Sequence, residues 1–191
     1  MRRTKRVRCS ECDLHCAEED AFVIDDAVVC RHCLYGEIQP ILIYPIGFVS
    51  NSQERDDSEF GLQAHADTSR IALLPSQRRF MYKLEEEERL TIVYCLHKAR
   101  AVRSRFRRGL DGKEVGVFAS RTPDRLSRIG IQDVRLIRVE DTALVVEGLD
   151  AINGTPVLDV KLCWHRDEFG REWSRGSASE RSAGIVSGRP R

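Results

Sequence analysis

The chain reads as a mainly β protein: an antiparallel, β-rich domain with few short helices, preceded by a small metal-binding module. Three observations predict this. Runs of β-branched and apolar residues recur between frequent turn signals, as in LTIVYCLH at 90–97 and ALVVE at 143–147. Only residues 77–89 carry a helical period. Two Cys-x-x-Cys pairs stand near the N-terminus, Cys9/Cys12 and Cys30/Cys33, at a separation typical of zinc sites. No strand–GxGxxG–helix unit is present, so nothing points to a nucleotide-binding fold of the Rossmann kind.

Composition narrows the class further. The 191 residues suffice for one good core and a small appendage. Net charge is only +1 although 32% of residues are charged, so the charge is clustered rather than scarce. No apolar run approaches the roughly 20 residues of a membrane span, and the basic N-terminus lacks the apolar centre of a signal peptide. The expectation is a soluble, cytoplasmic protein. Seven cysteines in such a setting, four of them in CxxC pairs, point to metal rather than disulfides.

Taken in order, residues 1–8 form a basic arm, either a simple tail or a phosphate contact. Between the cysteine pairs, AFVIDDAVV predicts a hairpin turning at Asp25-Asp26. That hairpin would bring Cys9, Cys12, Cys30 and Cys33 together around one tetrahedral, structural Zn²⁺, which would supply folding energy to a module too small for a core. His15, Cys16 and His32 are spare donors able to replace one of them. Residues 34–40 read as a connector, and Pro40 and Pro45 bracket the apolar ILIY.

Residues 46–50 predict the first strand of the main domain, 51–69 a polar loop, and 70–74 a short strand ended by Pro75. Residues 77–89 predict a helix with Phe80 and Leu84 on its apolar face and the EEEE run in solvent. A buried strand follows at 90–97, ending in His97-Lys98. Residues 98–109, KARAVRSRFRRG, form a single-sign basic run holding Phe106, suited to a phosphate backbone with a base stacked on the ring. Strands are predicted at 115–119, 132–139 and 143–147, with one more after Pro156. Two polar loops, 121–128 and 150–155, lie between them; if the strands are neighbours, both loops open on one edge of a sheet, a usual place to hold a ligand. Residues 169–191 form a Gly/Ser/Arg tail of low apolar content, expected to be disordered or partner-bound.

Several of these segments carry a resemblance. PIGFV at 45–49, LHK at 96–98, VGVFASRTPDR at 115–125, Ile129-Gly130 and EGLDAINGTPVLDVK at 147–161 resemble the TrmO/TsaA-like family of S-adenosylmethionine-dependent tRNA methyltransferases. The resemblance covers about two thirds of the chain. It implies a closed antiparallel β-barrel, a homodimer, and methylation of N6 of a threonylcarbamoyl-adenosine beside the anticodon. It also implies a cofactor site. Arg121 would pair with the adenosylmethionine carboxylate through its planar fork. His97, Lys98, Ile131, Ile152, Asn153, Gly154 and Thr155 would surround the rest, and Asp150 is a candidate for orienting or deprotonating the amine. Arg103, Arg105, Arg107, Arg108, Arg125 and Arg128 would contact tRNA.

The sequence also departs from the family. A proline–arginine–glutamine motif expected within 51–69 is absent. RLSRIG at 125–130 replaces a proline-stiffened version, which predicts a more flexible and more basic loop. The same fold with another substrate, or a barrel that binds ligand or nucleic acid without chemistry, are the alternatives. The predicted organisation is a basic arm and four-cysteine module at 1–40, a barrel at 41–166 and a tail at 167–191.

Overall fold

The computed structural model of the chain describes residues 5–53, 68–99, 102–109, 111–163, 165–166 and 172–173. All of the expected tail at 167–191 except 172–173, and most of the polar loop at 51–69, lie outside the described residues.

Six strands close an antiparallel barrel: β5 (Gly47–Ser50), β6 (Thr68–Leu73), β7 (Arg89–Cys95), β10 (Ile129–Val139), β11 (Ala143–Glu147) and β12 (Pro156–Leu162). Their order around the wall is β10-β11-β6-β5-β12-β7. Period-two alternation builds the inside. Leu90, Ile92 and Tyr94 of β7 point in with Ser69, Ile71 and Leu73 of β6, and their intervening neighbours are more exposed. Val49, Val134, Leu144, Val146, Leu149 and Val157 complete the core. Each such side chain contributes about 1.5–3 kcal/mol through burial. Register shifts between Leu136 and Arg138 in β10, and between Val157 and Asp159 in β12, bend these strands as closure requires.

Upstream lies the cysteine module. It contains the ribbon β1 (Arg6–Arg8) with β2 (His15–Ala17), the hairpin β3 (Ala21–Ile24) with β4 (Ala27–Cys30), and the single short α1 (Arg31–Tyr35). The hairpin turns at Asp25-Asp26, both at positive φ (48° and 66°), the conformation of a two-residue I′ turn. A second ribbon, β8 (Arg105–Arg107) with β9 (Glu114–Gly116), lies between β7 and β10 in sequence. The pair β13 (His165–Arg166) and β14 (Glu172–Trp173) follows the barrel.

Two expectations are corrected. The helix at 77–89 is instead two 3-10 turns, Pro75–Phe80 and Leu84–Glu86. Lys83 between them sits at φ 61°, outside the helical region, and the chain must already be extended to enter β7 at Arg89. Met81 rather than Phe80 is the buried anchor; Phe80 is 73% exposed. The strand at 115–119 is a strand only through Gly116. It then becomes the 3-10 turn Val117–Ala119, which buries Val117 and leaves Phe118 in solvent.

Candidate functional site at one end of the barrel

The register of β7 gathers the site. Its neighbours β10 and β12 both run antiparallel to it, and both begin beside its C-terminal end. Ile129 pairs with Cys95, Gly130 with Tyr94, and Val157 also with Tyr94. The segments that enter these strands, 120–128 and 150–155, therefore meet residues 96–99 at one barrel end. Both polar loops reach the same barrel end because β10 and β12 both flank β7, not because the strands on either side of each loop are neighbours.

Hydrogen bonds fix the meeting. Leu96 N donates to Arg128 O at 2.7 Å. His97 Nδ1 lies 3.5 Å from the hydroxyl of Thr155, a buried polar side chain. Beneath them the Tyr94 hydroxyl donates to Asp150 O at 3.0 Å. Gly130 allows the Tyr94 ring to lie flat on β10: a Cβ there would come within 2.5 Å of the ring. Burial pushes the Tyr94 phenol up to about 12. The Asp150 carboxylate adds to the shift, and Arg121 opposes it. The exposed Arg121 guanidinium is thus within electrostatic reach of the site's floor.

The glycine turn is not a hairpin, because β11 and β12 are not neighbours in the wall. Thr155 N donates to Ile152 O, with Gly154 at φ 78°, the position that favours glycine in such a turn. Asn51 staples the turn to the wall, donating from Nδ2 to Ala151 O and Ser69 Oγ. Gln132 does the same from β10, with Nε2 donating to Gly148 O at 2.7 Å. Asp150 keeps its side chain exposed while its backbone is held. Ile131 sits in the β7–β10 ladder opposite Val93, its side chain facing outward. Lys98 is exposed in the turn after His97. Tyr94, Asn51 and Gln132 escape a reading of the sequence because a polar residue in or beside a strand has no distinctive spacing.

Loop 120–128 is knitted by its own polar groups. Arg125 donates from Nη2 to Ser120 O at 2.6 Å and from Nε to Thr122 O at 2.9 Å. Side-chain-to-backbone bonds at Ser120 and Thr122 do the rest. They take the place of the missing prolines. The arginines divide accordingly. Arg103 pairs with Asp124, Arg105 with Glu114 and Arg108 with Asp111. Arg107, Arg121 and Arg128 are exposed and have no side-chain partner among the described residues.

The four cysteine sulfurs lie within 4.8 Å of one another. Cys9 and Cys33 are 3.9 Å apart, as are Cys12 and Cys30. A tetrahedron of sulfurs at about 2.3 Å from a zinc ion has edges of about 3.8 Å, so this set fits that ion. Backbone N–H groups of Cys12, Cys30 and Glu11 lower the Cys9 thiol to about 6. Hydrogen bonding with Cys30 and Cys12 pushes Cys33 up. Four thiolates cannot share this space without a cation, which is the condition a bound metal would relieve. His32 faces Glu37, and Cys16 Sγ donates to Val7 O, so neither joins the cluster. His15 lies in β2, which pairs with β1.

Comparison with known proteins agrees with this architecture. The S-adenosyl-L-methionine-binding protein of Archaeoglobus fulgidus is 31% identical over 123 residues, covering 63% of this chain and 88% of that protein. The human tRNA (adenine(37)-N6)-methyltransferase is 28% identical over 130 residues, covering 63% of this chain and 30% of that protein. The crystal structure of TrmO from Pseudomonas aeruginosa superposes with a TM-score of 0.54 at 30% identity, covering 66% of this chain and 57% of that one. The chain thus spans less than two thirds of the human enzyme and of this structure. No helix among the described residues is long and apolar enough to cross a membrane. With residues 54–166 matching the tRNA-methyltransferase O N-terminal domain, the chain belongs to that family, and its cysteine module lies outside the match.

Proposed function

We propose that the protein is an S-adenosylmethionine-dependent methyltransferase acting on tRNA, at adenine N6 beside the anticodon. The observation that carries this reading is the convergence of the Arg121 loop, His97 and Thr155 at one end of a barrel belonging to this family. Bound adenosylmethionine supplies an activated methyl group: transfer to an amine nitrogen breaks the methyl–sulfur bond, leaves a neutral thioether and releases a proton. The chain's task is then to hold cofactor and amine in line.

Arg121 pairs with the cofactor carboxylate. His97, Lys98, Ile131, Ile152, Asn153, Gly154 and Thr155 line the remainder, and the exposed Asp150 carboxylate orients the amine and takes up its proton. Arg107 and Arg128 meet tRNA phosphates directly. Arg103, Arg105 and Arg108 reach them by exchanging their carboxylate partners Asp124, Glu114 and Asp111. Arg125 supports the loop from within. Cys9, Cys12, Cys30 and Cys33 hold a structural zinc ion. The enzyme works in the cytoplasm as a homodimer on a threonylcarbamoyl-adenosine.

Calorimetric titration with adenosylmethionine tests the reading. Micromolar binding is expected, weakened about tenfold or more by Arg121→Ala, a loss of at least ~1.4 kcal/mol. Absence of binding by the folded protein would overturn it. A second reading, binding without transfer, draws on the replaced prolines at 125–130 and on the archaeal relative named for binding alone. Methyl transfer to tRNA that carries threonylcarbamoyl-adenosine but lacks the N6-methyl group separates the two.

A further inference from the structure

The tip of the cysteine module's hairpin is bonded to the segment that leads into the site. Asp25 N donates to Val102 O at 3.1 Å, and Ser104 N donates to Asp25 Oδ1 at 3.0 Å. Ile24 and Val102 form a parallel bridge beside them. One residue thus grips Val102–Ser104 from both directions, as a strand partner would, and its left-handed turn conformation (φ 48°) aims the carboxylate at the Ser104 amide. The Ser104 hydroxyl and amide hold the Asp25 carboxyl below its usual range, with Arg103 and Arg105 adding to the effect.

From there the bonding continues without a break. Arg103 N donates to Asp124 O at 3.0 Å, and Arg103 Nε lies 3.4 Å from Asp124 Oδ2. Val117 N donates to Ser104 O. Asp124 belongs to loop 120–128, whose Arg128 carbonyl accepts from Leu96 N beside His97. The path runs from the hairpin tip, through 102–104, to Val117 just before the loop carrying Arg121 and to Asp124 within it. It touches no cysteine ligand, yet it depends on a hairpin whose two strands the cysteine cluster closes at the opposite end.

We propose that Asp25 is a positioning residue for the Arg121 loop, so that the metal-binding module acts as a brace for the cofactor site and not only as an appendage. The proposal rests on the cofactor reading above for its functional consequence, but the brace itself is a property of the protein without ligand. Loss of metal would loosen the hairpin, free Val102–Ser104 and transmit disorder to residues 120–128. Cofactor affinity would then depend on metal occupancy far from the cofactor.

The test is amide hydrogen exchange on the full chain with its metal content measured. Asp25→Ala should accelerate exchange at Arg103, Ser104, Val117 and Leu96 about ten- to a hundredfold, the weight of a hydrogen bond to a charged acceptor. Asp25→Asn keeps a carbonyl acceptor and tolerates the turn, so it should restore near-native protection. Asp26→Ala places the same strain in the turn (φ 66°) without touching the clamp, and should leave these amides unchanged. Stripping the metal with a chelator should reproduce the Asp25→Ala pattern in the wild type and add nothing to it at Val117 and Leu96 in the variant. Acceleration confined to Ser104, or equal for Asp25→Ala and Asp26→Ala, would overturn the brace. In parallel, Asp25→Ala should raise the adenosylmethionine Kd about fivefold, with Asn rescuing it; an unchanged Kd would overturn the functional link. If the wild type binds no adenosylmethionine, the cofactor reading fails, while the exchange data still decide the brace.

Discussion

The Tyr94 hydroxyl donates to the Asp150 carbonyl oxygen at 3.0 Å, joining the buried middle of the barrel wall to the turn that carries Asn153, Gly154 and Thr155. Tyr94 is 5% exposed and its ring fills the space left by the absent side chain of Gly130. Tyr94→Phe keeps the ring and removes the bond. It should cost about 0.5–1.5 kcal/mol in urea unfolding, the net value of one hydrogen bond. A destabilisation above ~3 kcal/mol would mean that the ring had also moved. Gly130→Ala attacks the same contact from the other side and should cost about 1–3 kcal/mol through overpacking.

The same residue sets an alkaline response. Its pKa is raised to about 12 by burial first and Asp150 second. A raised pKa means that the folded state prefers the protonated phenol over what the unfolded chain does. The stabilisation is complete below the ordinary tyrosine value of about 10 and is lost as pH rises through about 12. A difference titration by phenolate absorbance, wild type against Tyr94→Phe, should show one phenol with a midpoint near 12. The wild type should also lose stability faster than the variant across that window. A midpoint at the ordinary value would place Tyr94 in water and contradict its burial.

Apolar and β-branched content made most of the barrel readable. The strands at 89–95 and 143–147 declare themselves as apolar, β-branched runs between turn signals, although the first was expected to extend to 97. The helix expected at 77–89 failed because Phe80 and Leu84 share a helical face only if the backbone is helical throughout. Met81 and Lys83 decide otherwise, one by burial and one by its left-handed backbone. Loop 121–128 was legible as a site element, but its stiffness was not. The bonds from Arg125 to Ser120 and Thr122 carbonyls depend on a local fold that no spacing announces. The cysteine cluster was the most legible feature, since metal geometry dictates ligand spacing directly.

Metal removal should act on the module before the barrel. With so little core around it, the ribbon, hairpin and α1 should depend on metal held at the cysteine cluster; structural zinc sites bind with apparent energies of about 10–16 kcal/mol. Cys9→Ser or Cys30→Ser should abolish stoichiometric zinc in metal analysis. Cys16→Ser should retain one ion per chain, because Cys16 Sγ faces the Val7 carbonyl. The barrel core, which contains none of these residues, should still unfold cooperatively after chelation. Retention of zinc by Cys9→Ser would remove the four-cysteine site.

The arginines should separate into two classes by salt. Arg107 and Arg128 are exposed and have no side-chain partner among the described residues, so each is available to a phosphate. Arg107→Ala or Arg128→Ala should weaken tRNA binding and reduce the slope of log K against log salt by about 1. Arg125 spends its guanidinium on the carbonyls of Ser120 and Thr122, which leaves little of it for an outside anion. Arg125→Ala should therefore leave the salt slope unchanged while costing about 1.5–3 kcal/mol of local stability, the worth of charged hydrogen bonds. It should also raise the adenosylmethionine Kd, because the same loop carries Arg121. The paired Arg105 falls between, since an exposed ion pair is worth only about 0–1 kcal/mol and yields readily to a phosphate, whereas Arg108, held by both oxygens of Asp111, should change the slope less. Equal salt slopes for Arg125→Ala and Arg128→Ala would show that the guanidinium of Arg125 leaves the loop when tRNA binds, and that the loop is remade by its substrate.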